Sequence, residues 1–447
     1  MTNGTSTALL TDEYELTMVR AALKSGTAHR ESVFELFARR LPPGRRYGVV
    51  AGVGRALEAL AGFRFGDAEL GFLEREQIID GPTAEFLADY RFRGSIWGYG
   101  EGDLYFPGSP LVIVQGTFAE AVVLETLLLS IYNYDSAVAS AASRMTLMAE
   151  DRPCIEMGSR RINEHAAVAA ARAAYVAGFA STSNLEAGRQ YGVPTSGTAA
   201  HSFTLLHDSE EAAFRAQIAT LGESTTLLVD TYDIEAAVRT GVEITGGRLG
   251  AVRIDSGDLT ATAREVRALL DELGATKTRI IVTSDLDEWQ LAALSGAPVN
   301  GYGVGTSLVT GSGAPTCSMV YKLVARAASD APGAPLVAVA KKSAAKATVG
   351  GRKYAARRLD AKGIAEAELI RVTGLPERDD NDRVLLRELV RDGEVVGAEP
   401  LATARARHEA ARAELPRDGY KMSRGEPVIP TFFLDERGTF LPTPYGS

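Results

Sequence analysis

Cysteine is scarce: Cys154 and Cys317 are the only two in 447 residues. Two thiols cannot build a disulfide framework or a multi-cysteine zinc site, and their rarity fits a reducing compartment. The start, MTNGTSTALLTDEYELT, has no basic segment followed by an apolar stretch, so no signal peptide is expected. Long hydrophobic runs are also missing. The most apolar region, Leu111 to Ile131, is interrupted by Gln115, Glu120 and Glu125 and is too broken to span a bilayer. Nor is there an excess of positive charge. The net charge is -9, spread along the chain, which gives no general pull toward nucleic acid or an anionic membrane. What remains is an ordinary globular balance, 45% hydrophobic and 23% charged, long enough for two or three domains and a sizeable core. The expectation is a soluble cytoplasmic protein with no nucleic-acid or membrane partner.

The first stretch, 1–145, is mixed. YELTMVRAALKSG has helical spacing and stops at Gly26, and ESVFELFARRLPPG reads as a strand broken by Pro42 and Pro43. Phe118 to Met148 reads as one or two long helices. The rhythm changes over 146–330, where short apolar runs each precede an amphipathic helix: PCIEM, GFASTS, VPTSGT, TTLLVD, GAVRIDS, RIIVTS and VNGYGVG, with SMVYKLVARA as an eighth strand. Such alternation calls for parallel strands with helical crossovers. Seven or eight units predict an irregular (β/α) barrel, with an open doubly wound sheet as the alternative. Beyond Pro332 and Pro335 the pattern breaks again. The segment 331–447 is expected to pack back on the N-terminal one as a second α/β (α+β) domain.

In a parallel barrel the chemistry sits at the C-terminal ends of the strands. There the sequence supplies Arg160 and Arg161, Thr182 to Asn184, His201, Asp230 and Asp233, then Arg253, Asp255 and Asp258, Ser284 and Asp285, and Gly303, Gly305 and Thr306. Each has a plainer reading. Asn184, Asp233, Asp258 and Ser307 suit helix N-caps, and Arg253 suits a structural ion pair. As a set they form the lining of a pocket for an anionic, hydroxyl-rich ligand. The glycine-rich GYGVGTS, late in the series, suits phosphate, which unpaired backbone N–H groups recognise. His201 is one of only five histidines and lies behind the small residues of TSGTAAHSF. It is either a quietly packed ring or one that something must reach.

Taken together, LLTDEYELT, EMGSRR, GFASTSNLEAG, GTAAHSF, LLVDTYDI, RIDSGDL, GYGVGTSL and VYKLVA resemble the nicotinate phosphoribosyltransferases in order and spacing. The resemblance implies a type II phosphoribosyltransferase. Such an enzyme joins nicotinate to 5-phosphoribosyl 1-pyrophosphate, with ATP hydrolysis coupled through a phosphohistidine and with Mg²⁺, in a homodimer with shared active sites. By that resemblance His201 is the phosphorylated residue, Asp230 its partner, and Asp255 the carboxylate facing the ribose. Tyr14 stacks on the pyridine ring of the neighbouring subunit, and Thr198 contacts nicotinate. Arg253 holds its carboxylate or the adjoining phosphate, and Arg160, Gly305 and Thr306 bind the 5-phosphate. Ser284, Asp285 and Gly303 complete the expected substrate-binding set. No structural zinc is expected, since two cysteines cannot replace the knuckle some relatives carry.

Three rivals remain open. The nicotinamide-specific relative carries an acid in the loop after the second strand, where this chain has Asn184. The quinolinate enzyme shares the architecture but has no phosphohistidine. A non-catalytic nucleotide-binding barrel is the third. The basic stretch KKSAAKATVGGRKYAARR offers Lys341, Lys342, Lys346 and Lys353 to ATP or pyrophosphate, or else to a solvated strand face.

Overall fold

A computed structural model describes residues 6–341, 348–372, 374–377, 379–435 and 437–441. The chain forms two compact units, one from 1–137 with 316–447 and one from 138–315.

The unit 138–315 carries the β-α rhythm. Its strands are β1 (Cys154–Glu156), β2 (Ser181–Thr182), β3 (Thr226–Leu228), β4 (Ala251–Ile254), β5 (Arg279–Ser284) and β6 (Gly301–Val304). They lie in the order β2-β1-β6-β5-β4-β3, with every neighbouring pair parallel. Each strand is followed by a helix. A short apolar run such as Ile280 to Val282 is buried, as a strand covered on both faces must be. The helices start where the chain offers a side-chain cap. Asn163, Asn184, Asp233, Asp258 and Asp287 each accept backbone N–H bonds from the first turn that follows them. The plain capping reading therefore holds for Asn184, Asp233 and Asp258. Because all strands run the same way, these loops gather at one edge of the sheet.

Two expected strands differ. VPTSGT contributes only an isolated parallel bridge, Thr182 with Thr195, because Pro194 has no N–H to extend the ladder. The barrel is accordingly irregular. SMVYKLVARA does form a strand, Met319–Ala327, but it pairs antiparallel with Glu31–Ala38 in the other unit's sheet. Periodicity identified the strand; only its pairing partner could assign it to a sheet.

The unit built from 1–137 and 316–447 is antiparallel in its main sheet. In spatial order the seven strands are Leu336–Ala338, Met319–Ala327, Glu31–Ala38, Pro110–Thr117, Ser95–Gly98, Arg387–Arg391 and Glu394–Val395. The N- and C-terminal segments thus share one sheet. A five-stranded sheet of C-terminal strands accompanies it. Glu13–Ser25 is a helix that ends at Gly26, whose φ of 75° lets its N–H reach the carbonyls of Ala22 and Leu23. The stretch from Phe118 forms two helices, Phe118–Val122 and Glu125–Ala149. Among the described residues no helix is long and apolar enough to cross a membrane.

Candidate active site

Two adjoining cavities open at the loop edge of the parallel sheet and share Met157, Arg160 and Arg253. The first, of 360 Å³, is lined by Ile155, Ile281 and Thr226 on the sheet and by Ser159, Ser183 and Thr198 from the loops. Its mixed apolar and hydroxyl wall suits a flat ring with polar substituents. The second, of 230 Å³, is more polar. Asp255, Thr283, Ser284, Asp285, Gly303, Gly305, Thr306 and Arg161 line it.

The second cavity is held open by backbone that side chains would fill. A Cβ on Gly303 would lie 2.4 Å from Thr283 Cγ2 and 2.7 Å from Met157 Sδ. Ser284, at the end of β5, has φ of 151°, a conformation almost confined to glycine, and strain of this kind gathers at functional sites. Arg160 and Arg161 are exposed and have no ion pair among the described residues, so both remain available to an anion.

Arg253 leaves β4 with 16% of its side chain exposed. Its Nε donates to Thr283 Oγ1 at 2.9 Å, and Nη2 lies 3.4 Å from Asp255 Oδ1. Thr283 in turn donates its hydroxyl to Asp255. The structural ion pair is therefore present, yet the guanidinium still faces both cavities.

His201 opens a short helix, His201–Leu206, with 41% of its side chain exposed. Its Nδ1 sits 3.1 Å from Thr231 Oγ1. Its Nε2 faces Asp230 Oδ1 at 3.8 Å and Asp255 Oδ2 at 3.9 Å. Those distances exceed a hydrogen bond, so the carboxylates flank the ring while a hydroxyl holds it. The side chain of Asp230 is almost wholly buried. Its Oδ2 accepts the Asp255 N–H at 2.9 Å and the Ser256 hydroxyl at 2.7 Å, while its buried Oδ1 has no hydrogen-bond partner. An unpaired buried carboxylate oxygen aimed at an imidazole is costly unless something is to be stabilised there.

Asn184 lines neither cavity. Its Oδ1 caps the helix Leu185–Tyr191 and its Nδ2 donates to Ser159 Oγ at 3.0 Å. Tyr14 belongs to the other unit, on the first turn of Glu13–Ser25, 46% exposed. Its phenol is pushed up to about 12, chiefly by partial burial, with Glu125 and Glu15 adding. Of the basic stretch, Lys353 is buried and paired with Glu35, so it is closed to nucleotide, and Lys341 is exposed. Lys342 and Lys346 lie outside the described residues. Burial pushes Cys154 up to about 12 and Cys317 up to about 11, which leaves both thiols inert as nucleophiles.

Sequence reasoning missed Thr231, one residue past Asp230, and Glu156, the buried end of β1. Threonine beside a strand-end aspartate is an ordinary sequence feature. Only the fold turns its hydroxyl to the imidazole.

Comparison with known proteins places the chain in a family. Residues 9–133 match the family model for the nicotinate phosphoribosyltransferase (NAPRTase) N-terminal domain. The chain is 56% identical over 438 residues to nicotinate phosphoribosyltransferase pncB1 of Mycobacterium tuberculosis, covering 96% of each chain. It is 36% identical over 330 residues to nicotinate phosphoribosyltransferase of Bacillus subtilis, covering 72% of this chain and 67% of that one. The crystal structure of human nicotinic acid phosphoribosyltransferase superposes with a TM-score of 0.82 at 27% identity, over 96% of this chain and 98% of that one. With its strand-end cavities and nearly full-length match, the chain belongs to the nicotinate phosphoribosyltransferase family.

Proposed function

We propose that the protein makes nicotinate mononucleotide and pyrophosphate from nicotinate and 5-phosphoribosyl 1-pyrophosphate, driven by ATP hydrolysis to ADP and phosphate through a phosphorylated His201. The observation that carries this reading is the pair of adjoining cavities beside an exposed imidazole flanked by two carboxylates.

The pyridine ring occupies the 360 Å³ cavity, where Thr198 and Arg253 meet its carboxylate. Arg253 is pre-oriented by Thr283, which spares the entropy of fixing it on binding. The ribose 5-phosphate takes the polar cavity, where Arg160, Ser284, Asp285, Gly303, Gly305 and Thr306 offer charge, hydroxyls and close backbone approach. As the C1–pyrophosphate bond breaks, its electron pair leaves with pyrophosphate and the pyridine nitrogen supplies the new pair to C1. Asp255 at the cavity wall offsets the positive charge that develops on the sugar.

At His201 a ring nitrogen with a free lone pair takes the γ-phosphoryl group of ATP, and ADP leaves. The ring gains positive charge on phosphorylation. Asp230 and Asp255 stabilise it, and Thr231 fixes its orientation. Water later accepts the phosphoryl group. Mg²⁺ fits this site: Asp255 and the unpartnered Oδ1 of Asp230 are hard oxygen donors, and magnesium is commonly held by one or two carboxylates together with substrate phosphates. When bound it neutralises phosphate charge. The working form is a homodimer in which Tyr14 of one subunit stacks on the pyridine bound by the other.

The test is incubation with labelled ATP. An alkaline-stable, acid-labile label on the native protein and none on His201→Ala is the expected result, with loss of ATP stimulation and an unchanged fold. Absence of label on the native protein, or a rate indifferent to ATP, returns the assignment toward the quinolinate enzyme. Faster turnover of nicotinamide than of nicotinate defeats the choice of base.

A further inference from the structure

We infer that Glu156 and Thr182 are positioning residues for the base-binding cavity, acting through a closed ring of hydrogen bonds that locks together the loops after β1 and β2. The inference rests on the proposed function for the identity of the base.

The ring can be followed atom by atom. Glu156 Oε1 accepts the N–H of Gly158, and Oε2 accepts the hydroxyl of Thr182. Thr182 Oγ1 accepts the N–H of Asn184 at 2.9 Å. Asn184 Nδ2 donates to Ser159 Oγ at 3.0 Å, and Ser159 follows Gly158 in the chain. A backbone bond from the Ser183 N–H to the Glu156 carbonyl, 2.8 Å, crosses the ring. Ser159, Arg160 and Ser183, three lining residues of the first cavity, are thus carried by one network.

Glu156 is the unusual member. It is 1% exposed and has no ion pair among the described residues. Burial pushes its carboxyl above the usual carboxylate range, against the bonds from Thr182 and Gly158. Burying a carboxylate without a cation is costly, and a strand end does not require one. This carboxylate spends both oxygens on loop atoms, so its role is to hold those loops. Gly158 shows how tightly they are held. A Cβ there would lie 2.2 Å from Val309 Cγ1 and 3.1 Å from the Gly305 carbonyl oxygen, so the same loop also abuts the wall of the polar cavity.

Thr182→Val removes both hydroxyl roles at nearly constant volume, and Thr182→Ser restores them. Two measurements read the effect on the full chain: steady-state kinetics with nicotinate, and amide hydrogen exchange at residues 158–161. Thr182→Val is expected to raise KM for nicotinate about tenfold with kcat within about threefold, the size of one or two lost positioning bonds. Exchange at 158–161, on the far side of the ring, should speed up about tenfold. Thr182→Ser should stay near native in both, and Glu156→Gln, which keeps one acceptor, should shift both as Thr182→Val does. Unchanged exchange at 158–161 in folded Thr182→Val, an unchanged KM, or a serine variant as impaired as the valine one overturns the inference. If the native protein fails to turn over nicotinate, the proposed function falls instead, and the exchange measurement still judges the ring.

Discussion

Charge is used in opposite ways in two clusters, one in each unit. In the unit formed by the two ends of the chain, the charges around Arg357 and the pair Lys353–Glu35 close on one another. Arg357, 1% exposed, meets Asp103 at 3.1 Å and also pairs with Glu368 and Glu414. Arg383 adds bonds of 2.6 Å to Asp103 and 2.8 Å to Glu414. Lys353 closes on Glu35. In the unit 138–315 the strand-end charges stay open. Arg160 is exposed, Asp230 keeps an oxygen without a partner, and His201 stands 3.8 and 3.9 Å from its carboxylates. A charge whose partners are all internal holds a fold. A charge left incompletely paired at a cavity wall is available to a ligand, and its cost is borne by the rest of the structure.

The comparison breaks most sharply at Arg357. Arg357→Ala leaves Glu368 in the interior without a cation and Asp103 with Arg383 alone, and should lower unfolding free energy by about 3–5 kcal/mol. Denaturant titration reads this, and kcat per folded molecule should be unchanged. A loss below about 1 kcal/mol would mean the cluster is solvated. At the open end, Arg253→Lys keeps the charge but loses the fork shared between Thr283 and the ligand. Its KM for nicotinate should rise about 10- to 100-fold, or about 1.4–2.7 kcal/mol, with the unfolding midpoint nearly unmoved. A large stability loss there would place Arg253 with the closed charges.

The smallest effect sharpens an intermediate case. Glu15 is buried and bonds Thr126 and Thr11 but, among the described residues, no cation. Burial raises its carboxyl to about 7. Between the unfolded value and about 7 the folded state binds more protons, so stability falls as pH rises through that window. Native protein should lose about 1–2 kcal/mol from this group between pH 5 and 8. Glu15→Gln, which keeps an acceptor for Thr126, should flatten that slope in unfolding measured across pH. An unchanged slope would assign it to other carboxylates.

Much of the site was legible because parallel β-α units place their loops at one edge, so residues after each strand converge wherever they fall in the chain. Arg160, Arg253, Asp255 and the Gly303–Thr306 turn could be read from their position after apolar runs. Thr231 and Glu156 could not. A threonine and a strand-end glutamate carry no periodic signal, and their importance comes from hydrogen bonds to residues 30 and two to 26 positions away. Lys353 misled for the same reason: a basic stretch looks solvated until a partner 318 positions distant is found. The strand Met319–Ala327 was recognised as a strand and placed in the wrong sheet, because its pairing with Glu31–Ala38 is equally non-local.

By itself, the order of amino acids determined the alternating rhythm, the helix caps and the motifs that mark the family, since these depend on neighbours a few residues apart. Tertiary structure decided which charges are closed and which stay open, which strand joins which sheet, and which hydroxyl holds the imidazole. Those outcomes turn on burial and on contacts between distant segments, where the cost of an unpaired polar group is set by surroundings that local sequence does not specify.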